Sequence, residues 1–225
     1  MKTIKGLMNR AFVTALGIIH SISGLLALLS VPVSFLGGGV SLAKVSSIVG
    51  LFLAIYFISG MGMVYETYVT VVTTDRAYTS ILEKLRAYVE SHPFNSPVYL
   101  YGYRSIQELK GSGESEVKLL IILLIFSVIN EVPILNILPL TYYLGREYGR
   151  MRNLLMVYNQ LGLGGRYVPD AIGLELATIL TNGFTFGFMI SRLLQLYQVL
   201  ESSPLPQDQG PGQGSPLYGG GTPSP

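Results

Sequence analysis

AFVTALGIIHSISGLLALLSVPVSFLGGGVSLA, Ala11 to Ala43, runs 33 residues without a charged side chain, and after Lys44 the stretch VSSIVGLFLAIYFISGMGMVY, Val45 to Tyr65, adds 21 more. Each exceeds the roughly 20 apolar residues that cross a hydrocarbon core of about 30 Å. In lipid the backbone must satisfy its own hydrogen bonds, so both stretches read as membrane-spanning helices. Lys2, Lys5 and Arg10 precede the first. That pattern also opens a signal peptide, but the apolar run is far too long for one, and a retained anchor helix is expected. The first span is expected over Ala11 to Val31, with Pro32 and Gly37 to Gly39 making a turn toward a second span from about Lys44. By the positive-inside rule the N-terminus lies in the cytoplasm of a multi-pass protein of the cell membrane.

Composition points the same way. Asp, Glu, Lys and Arg make up 12% of the chain, about half the ~25% of soluble domains, too few to coat a water-soluble surface. A net charge of +2 and the lack of a basic, aromatic-rich stripe argue against nucleic acid as a partner. With no cysteine, disulfides, thiolate nucleophiles and cysteine metal sites are excluded.

Outward from the hairpin, residues 75–118 have the composition of a water-exposed segment, with six basic and six acidic side chains. Tyr78, Ile81, Leu82, Leu85, Tyr88 and Val89 share one helical face, which predicts an amphipathic cytoplasmic helix. PFNSPVYLYGYR is read as non-helical, with Val98 to Tyr103 extended, and Lys110 to Glu116 as a linker without a phosphate-loop pattern.

The third apolar region, Leu119 to Leu144, is interrupted by Asn130, Glu131 and Asn136 and carries Pro133 and Pro139. A broken or re-entrant element is expected. A carboxylate at bilayer depth is costly, so Glu131 must face protein or water, be protonated, or lie at a surface where the chain turns back. Asn130, Glu131 and Asn136 are therefore the candidate ion or proton pathway. Arg146, Arg150, Arg152 and Arg166 follow, and the positive-inside rule keeps them cytoplasmic only if this region enters and returns. Leu144, Tyr148, Met151, Leu155 and Tyr158 predict a seam against another helix. Arg146 and Arg150, one turn apart on a different face, are candidate contacts for anionic lipid headgroups.

Ala171 to Leu200 is expected to cross once as the final transmembrane helix. At its centre Thr181, Asn182, Gly183, Thr185 and Gly187 include a Gly-x-x-x-Gly spacing that lets helices approach closely. Gly17 and Ser21 repeat that pattern in the first span, so Gly17, Ser21, Asn182, Gly183 and Gly187 are the candidate helix-packing residues. His20 lies beside them and is expected to hydrogen-bond in packing. The segment from 203 to 225 holds six prolines, six glycines and one charge, Asp208, and reads as a disordered tail. A single final crossing would leave that tail outside.

Two segments, LLIILLIFSVINEVPILNILPLTYYLGREYGRM and ELATILTNGFTFGFMISRLLQLYQVLE, resemble the repeated unit of multi-pass prokaryotic membrane proteins of the domain-of-unknown-function 4234 type. That unit is an apolar stretch, a Thr-x-Gly-aromatic break, then aromatic and basic residues. Thr185, Phe186 and Gly187 match it approximately, and the first segment lacks the glycine. The resemblance implies a membrane protein and no particular reaction.

No HExxH, GxSxG or paired intramembrane aspartates occur, so neither an enzyme nor a metal or cofactor is expected. Ser59 and His20 can be drawn as a dyad across two spans, without support from their neighbours. The fold class is thus all-α: a polytopic transmembrane helical bundle with amphipathic cytoplasmic helices and a disordered tail. Its segments are a hairpin (1–74), a cytoplasmic helix and linker (75–118), a second membrane region (119–202) and the tail (203–225). The expected role is a structural or interaction component in the lipid bilayer, self-associating or bound to another membrane protein; the alternative is a small channel, transporter subunit or proton pathway.

Overall fold

A computed structural model describes residues 10–36, 42–91, 97–109, 115–129, 135–161, 163 and 172–203. They are helical, and no strand occurs among the described residues. Helix α1 covers Arg10–Leu36, α2 Leu42–Ser91, α3 Pro97–Glu108 and α4 Glu116–Leu124, which passes into a π-helical turn at Ile125–Ile129. Helices α5, α6 and α7 cover Leu138–Gln160, Ile172–Leu180 and Phe186–Glu201. Two of these helices, α1 and α2, are long and apolar enough to cross a membrane.

Several boundaries differ from the sequence expectation. α1 does not stop at Val31 but continues through Pro32 to Leu36; one lost backbone bond is tolerated in a helix whose alternative is unpaired backbone among apolar residues. α2 does not end at Tyr65 either. Its 50 residues run without a break into the amphipathic segment, because residues 63–91 contain no glycine, proline or asparagine to stop a helix. It ends just before His92 and Pro93. The segment expected to be extended at Val98 is the helix α3, with Pro97 in the first position, where a missing N–H costs nothing.

The fourth apolar region is not one helix. α6 ends in a Schellman turn, in which Gly183 N donates to Thr178 O at 2.8 Å and Asn182 N to Ile179 O at 3.1 Å. Asn182 (φ 49°) and Gly183 (φ 93°) both adopt the left-handed conformation that reverses the chain. α5 starts at Leu138 with proline in its first turn.

Contacts fix the directions. α1 and α2 are antiparallel, with His20 against Tyr56 and Ser59 and Leu16 against Gly62. α4 starts beside α2 at the Arg76–Glu116 pair, and α5 descends parallel to α2, from Asn136 at Tyr56 to Arg150 at Asp75. α6 rises from Glu175, packed on Gly145, to Asn182, packed on Gly24. α7 then descends along α1, from Gly183 at Gly17 to Gly187 at Thr14. The result is two helical hairpins, α4–α5 and α6–α7, whose tips meet the α1–α2 pair at one level. That level is ten residues into α1, roughly 15 Å from Arg10.

Around this half of the molecule large apolar side chains face outward, among them Phe12 and Leu25 on α1, Leu51 and Phe57 on α2, Ile121 on α4 and Leu176 on α6. On α2 this band stops at Tyr65; beyond it Tyr78, Leu82, Leu85, Tyr88 and Val89 turn inward and join Leu144, Tyr148, Met151, Leu155 and Tyr158 of α5 in one core.

Candidate functional site

The hairpin tips converge on His20. Its ring stacks on Tyr56 with centroids 4.0 Å apart, and its Nδ1 lies 3.1 Å from the Tyr56 carbonyl oxygen and 3.2 Å from Ser59 Oγ. A carbonyl only accepts, so Nδ1 carries the proton and Nε2 is the acceptor. Asn136 Nδ2 points at that Nε2 from 3.4 Å and donates to the Tyr56 hydroxyl at 2.5 Å. The Asn182 side chain bonds the same hydroxyl from the other hairpin. Four elements thus share one polar network inside the apolar band. Asn136 is 2% exposed, and its Oδ1 has no hydrogen-bond partner among the described residues.

The network does not form a nucleophile and base. Ser59 Oγ sends its proton back to the carbonyls of Ile55 and Tyr56, at 2.8 and 2.9 Å, and the imidazole nitrogen facing it is itself a donor.

All five candidate packing residues lie around this network. A Cβ on Gly17 would strike Gly183 O, and one on Gly187 would lie 2.5 Å from Thr14 Cα. Ser21 Oγ donates to Thr181 O at 2.7 Å. The Gly183 and Gly187 faces are therefore occupied by α1 of the same chain. Of the candidate pathway residues, Asn136 is at the network, while Asn130 and Glu131 lie outside the described residues, as does the tail from Pro204 onward.

A second polar cluster forms an ion collar below the band. Arg150 Nη1 bonds Asp75 Oδ1 at 2.6 Å and both Glu147 oxygens at 2.8 Å, and its guanidinium lies 4.3 Å from the Tyr78 ring centroid. Glu147 is 0% exposed. Burial pushes its carboxyl above the usual carboxylate range, and the Arg150 guanidinium pulls the other way. Arg150, expected as a headgroup contact, has its charge bonded to two carboxylates inside the protein. Arg146 Nη2 reaches Glu147 at 3.4 Å and packs over Tyr143.

Three participants were not singled out by sequence. Tyr56 sat within an apolar run as an ordinary span residue, although a tyrosine far from either interface is itself a signal. Glu147 follows Arg146 directly in sequence, and nothing in that position signals its burial. Glu66, directly after the second charge-free run, is 7% exposed and has no hydrogen bond or ion pair among the described residues.

No protein-family model, curated protein or solved structure matches this chain.

Proposed function

We propose that this is a multi-pass membrane protein whose α1 and α2 cross the bilayer, whose α4–α5 and α6–α7 hairpins enter and return from the side of the ion collar, and which serves as a structural or interaction component of a membrane assembly. The observation that carries this reading is the sharp change along α2: apolar side chains face outward up to Tyr65 and inward beyond it. A water-soluble bundle has no use for an outward apolar band on four helices, whereas lipid requires one. The arginines of α5 and Arg10 at the start of α1 fall on the same side of the band, which by the positive-inside rule makes the collar side cytoplasmic. Because the fourth region returns, the end of α7 at Glu201 lies on that side too, opposite to the side expected from a single crossing.

Beyond the bilayer, α2 and α3 form an arm with an open groove of ≈ 420 Å³ lined by Arg86, Val89, Glu90, Tyr103, Ile106 and Gln107. This supports interaction over chemistry. The test has two parts. Alkaline extraction and flotation report insertion. A photo-crosslinker at Gln107, with one at Phe57 as the lipid-facing comparison, reports contact in the native membrane. Adducts at Gln107 alone are expected for an arm that docks a partner; adducts at neither position refute an interaction role.

A pathway is the second reading, favoured by the buried Asn136 Oδ1, which has no hydrogen-bond partner among the described residues. Glu131→Gln abolishes flux in that case without altering folding.

A further inference from the structure

The groove of the α2–α3 arm lies far from the outward apolar band. Arg86 is 21 residues beyond Tyr65 on an unbroken helix, roughly 32 Å past the edge of that band. Val89 and Ile106, both 1% exposed, make the floor of the groove, with Arg86, Glu90, Tyr103 and Gln107 around them. Arg86 is held in place, since its Nη2 donates to Leu109 O at 2.7 Å. The volume of ≈ 420 Å³ falls within the range of roughly 300–1,000 Å³ that characterises ligand sites. With one positive and one negative side chain at its rim, the groove favours neither an acidic nor a basic occupant. A neutral segment carrying one or two large side chains suits it.

Such a segment is tethered nearby. α3 and α7 both pack on α2 and on α5, so their axes are at most two helix spacings apart, roughly 20 Å. α7 begins near the level of Met63, against which Gly183 sits, and its 16 residues descend about 24 Å beside α2. Arg86 lies about 35 Å below Met63 on α2. The end of α7 is therefore about 10 Å short of the groove along the axis, and about 20–25 Å from it overall. After Ser203 the sequence continues PLPQDQGPGQGSPLY to Tyr218, with one charge, Asp208, and with Leu205, Leu217 and Tyr218 as its large apolar or aromatic side chains. Leu205 follows Ser203 by two residues, a reach of about 7 Å, which falls short. Leu217 follows by 14, and a flexible chain of that length has a root-mean-square span of about 20 Å. Tether and distance match, the condition under which a linked segment reaches its highest effective concentration, on the order of millimolar.

We propose that Leu217 and Tyr218 dock in the α2–α3 groove of their own chain, so that the tail covers the arm until a partner displaces it. Pro216 ahead of the pair favours an extended entry, and Gly219 behind it lets the chain turn away from the groove. Glu90 and Gln107 supply acceptors for the Tyr218 hydroxyl, and the Arg86 N–H groups not bonded to Leu109 O supply donors for a backbone carbonyl of the segment. The inference rests on the α2–α3 arm being a docking surface, and it names the segment that occupies that surface first.

The chain has no cysteine of its own, so introduced pairs report the contact in the full chain in native membranes. Gln107→Cys with Pro216→Cys is expected to form a disulfide within one chain several-fold faster than Gln107→Cys with Thr222→Cys, a pair for which tether length alone predicts a difference of about twofold. Leu217→Ala with Tyr218→Ala is expected to slow the first pair to the rate of the second. The same two alanines are expected to raise several-fold the adducts that a photo-crosslinker at Gln107 forms with other proteins. Rates for the two pairs within about twofold of each other overturn the proposal, as does a fast first pair that the alanines leave unchanged. A disulfide formed only between two chains overturns it in favour of a second copy as the occupant. Adducts at Gln107 with other proteins alongside equal cysteine rates overturn the docked tail alone and leave the arm a docking surface. A fast, alanine-sensitive pair without adducts to any other protein upholds the docked tail and overturns the partner role of the arm.

Discussion

Arg150→Met isolates the electrostatic core of the collar. Methionine keeps an unbranched stem against Tyr78 while removing the charge that bonds Asp75 and both oxygens of Glu147. Glu147 has no water contact to fall back on and keeps only the longer contact to Arg146 at 3.4 Å, so breaking the buried pair from one side is expected to cost about 3 kcal/mol, the low end of the range for a buried charge that loses its main partner. The sign of the pH dependence follows. Burial already holds the Glu147 carboxyl above its ordinary value of 4.5, and losing Arg150 removes an opposing pull. A group whose folded pKa is raised contributes stability that is complete below the unfolded value and lost as pH rises through the folded one. The deficit of Arg150→Met relative to the natural chain is therefore largest near neutrality and shrinks on acidification toward that ordinary value. Glu147→Gln added to Arg150→Met recovers most of the loss at neutral pH. Thermal unfolding followed by circular dichroism in detergent, across a pH series, measures all three. A single-variant loss below about 0.5 kcal/mol, the range of ordinary surface changes, or a deficit that grows on acidification, refutes the reasoning.

Gly187→Ala places a methyl 2.5 Å from the α1 backbone and is expected to destabilise by about 1–3 kcal/mol, whereas Gly149→Ala, with nothing within 4 Å, is expected to stabilise by about 0.5–1 kcal/mol in the same melt. Tyr56→Phe removes the hydroxyl shared by Asn136 and Asn182 and is expected to cost about 1–3 kcal/mol by leaving a buried amide unpaired. At the Schellman turn, Asn182→Val is expected to lower the melting temperature further than Asn182→Gly, by an amount corresponding to about 1–2 kcal/mol, since both lose the bond to the Tyr56 hydroxyl and only the β-branched residue resists φ 49°. Single cysteines at Met156 and Tyr218, introduced into a cysteine-free chain, are both expected to label with an impermeant thiol reagent only after the cytoplasmic face is opened; labelling of either in intact cells contradicts the two-hairpin topology.

The helical class was legible because charge-free runs leave the backbone no other way to bond. The amphipathic stripe from Tyr78 to Val89 was legible too, as a period. What could not be read was continuity. The composition shift at Tyr65 looked like an element boundary, yet a helix responds to local breakers and not to its solvent, and none occurs before His92. The opposite error occurred at Thr181 to Thr185, where the apolar run continues but a left-handed pair turns the chain. Asn-Gly is a known turn signal, muted here by the hydrophobic residues on both sides. The network at His20 joins positions more than a hundred residues apart, a relation that spacing along the chain does not encode.

The unbroken α2 has a mechanical consequence. Its 27 residues from Tyr65 to Ser91 form a rod of about 39 Å rigidly joined to the half packed on α1. A lever of that length turns a tilt of about 10° near His20 into a sweep of about 7 Å at Ser91. Anything that changes how the hairpin tips seat against α2 is thus reported, magnified, at the far end of the arm, and a load applied there is felt at the tips with the same mechanical advantage in reverse.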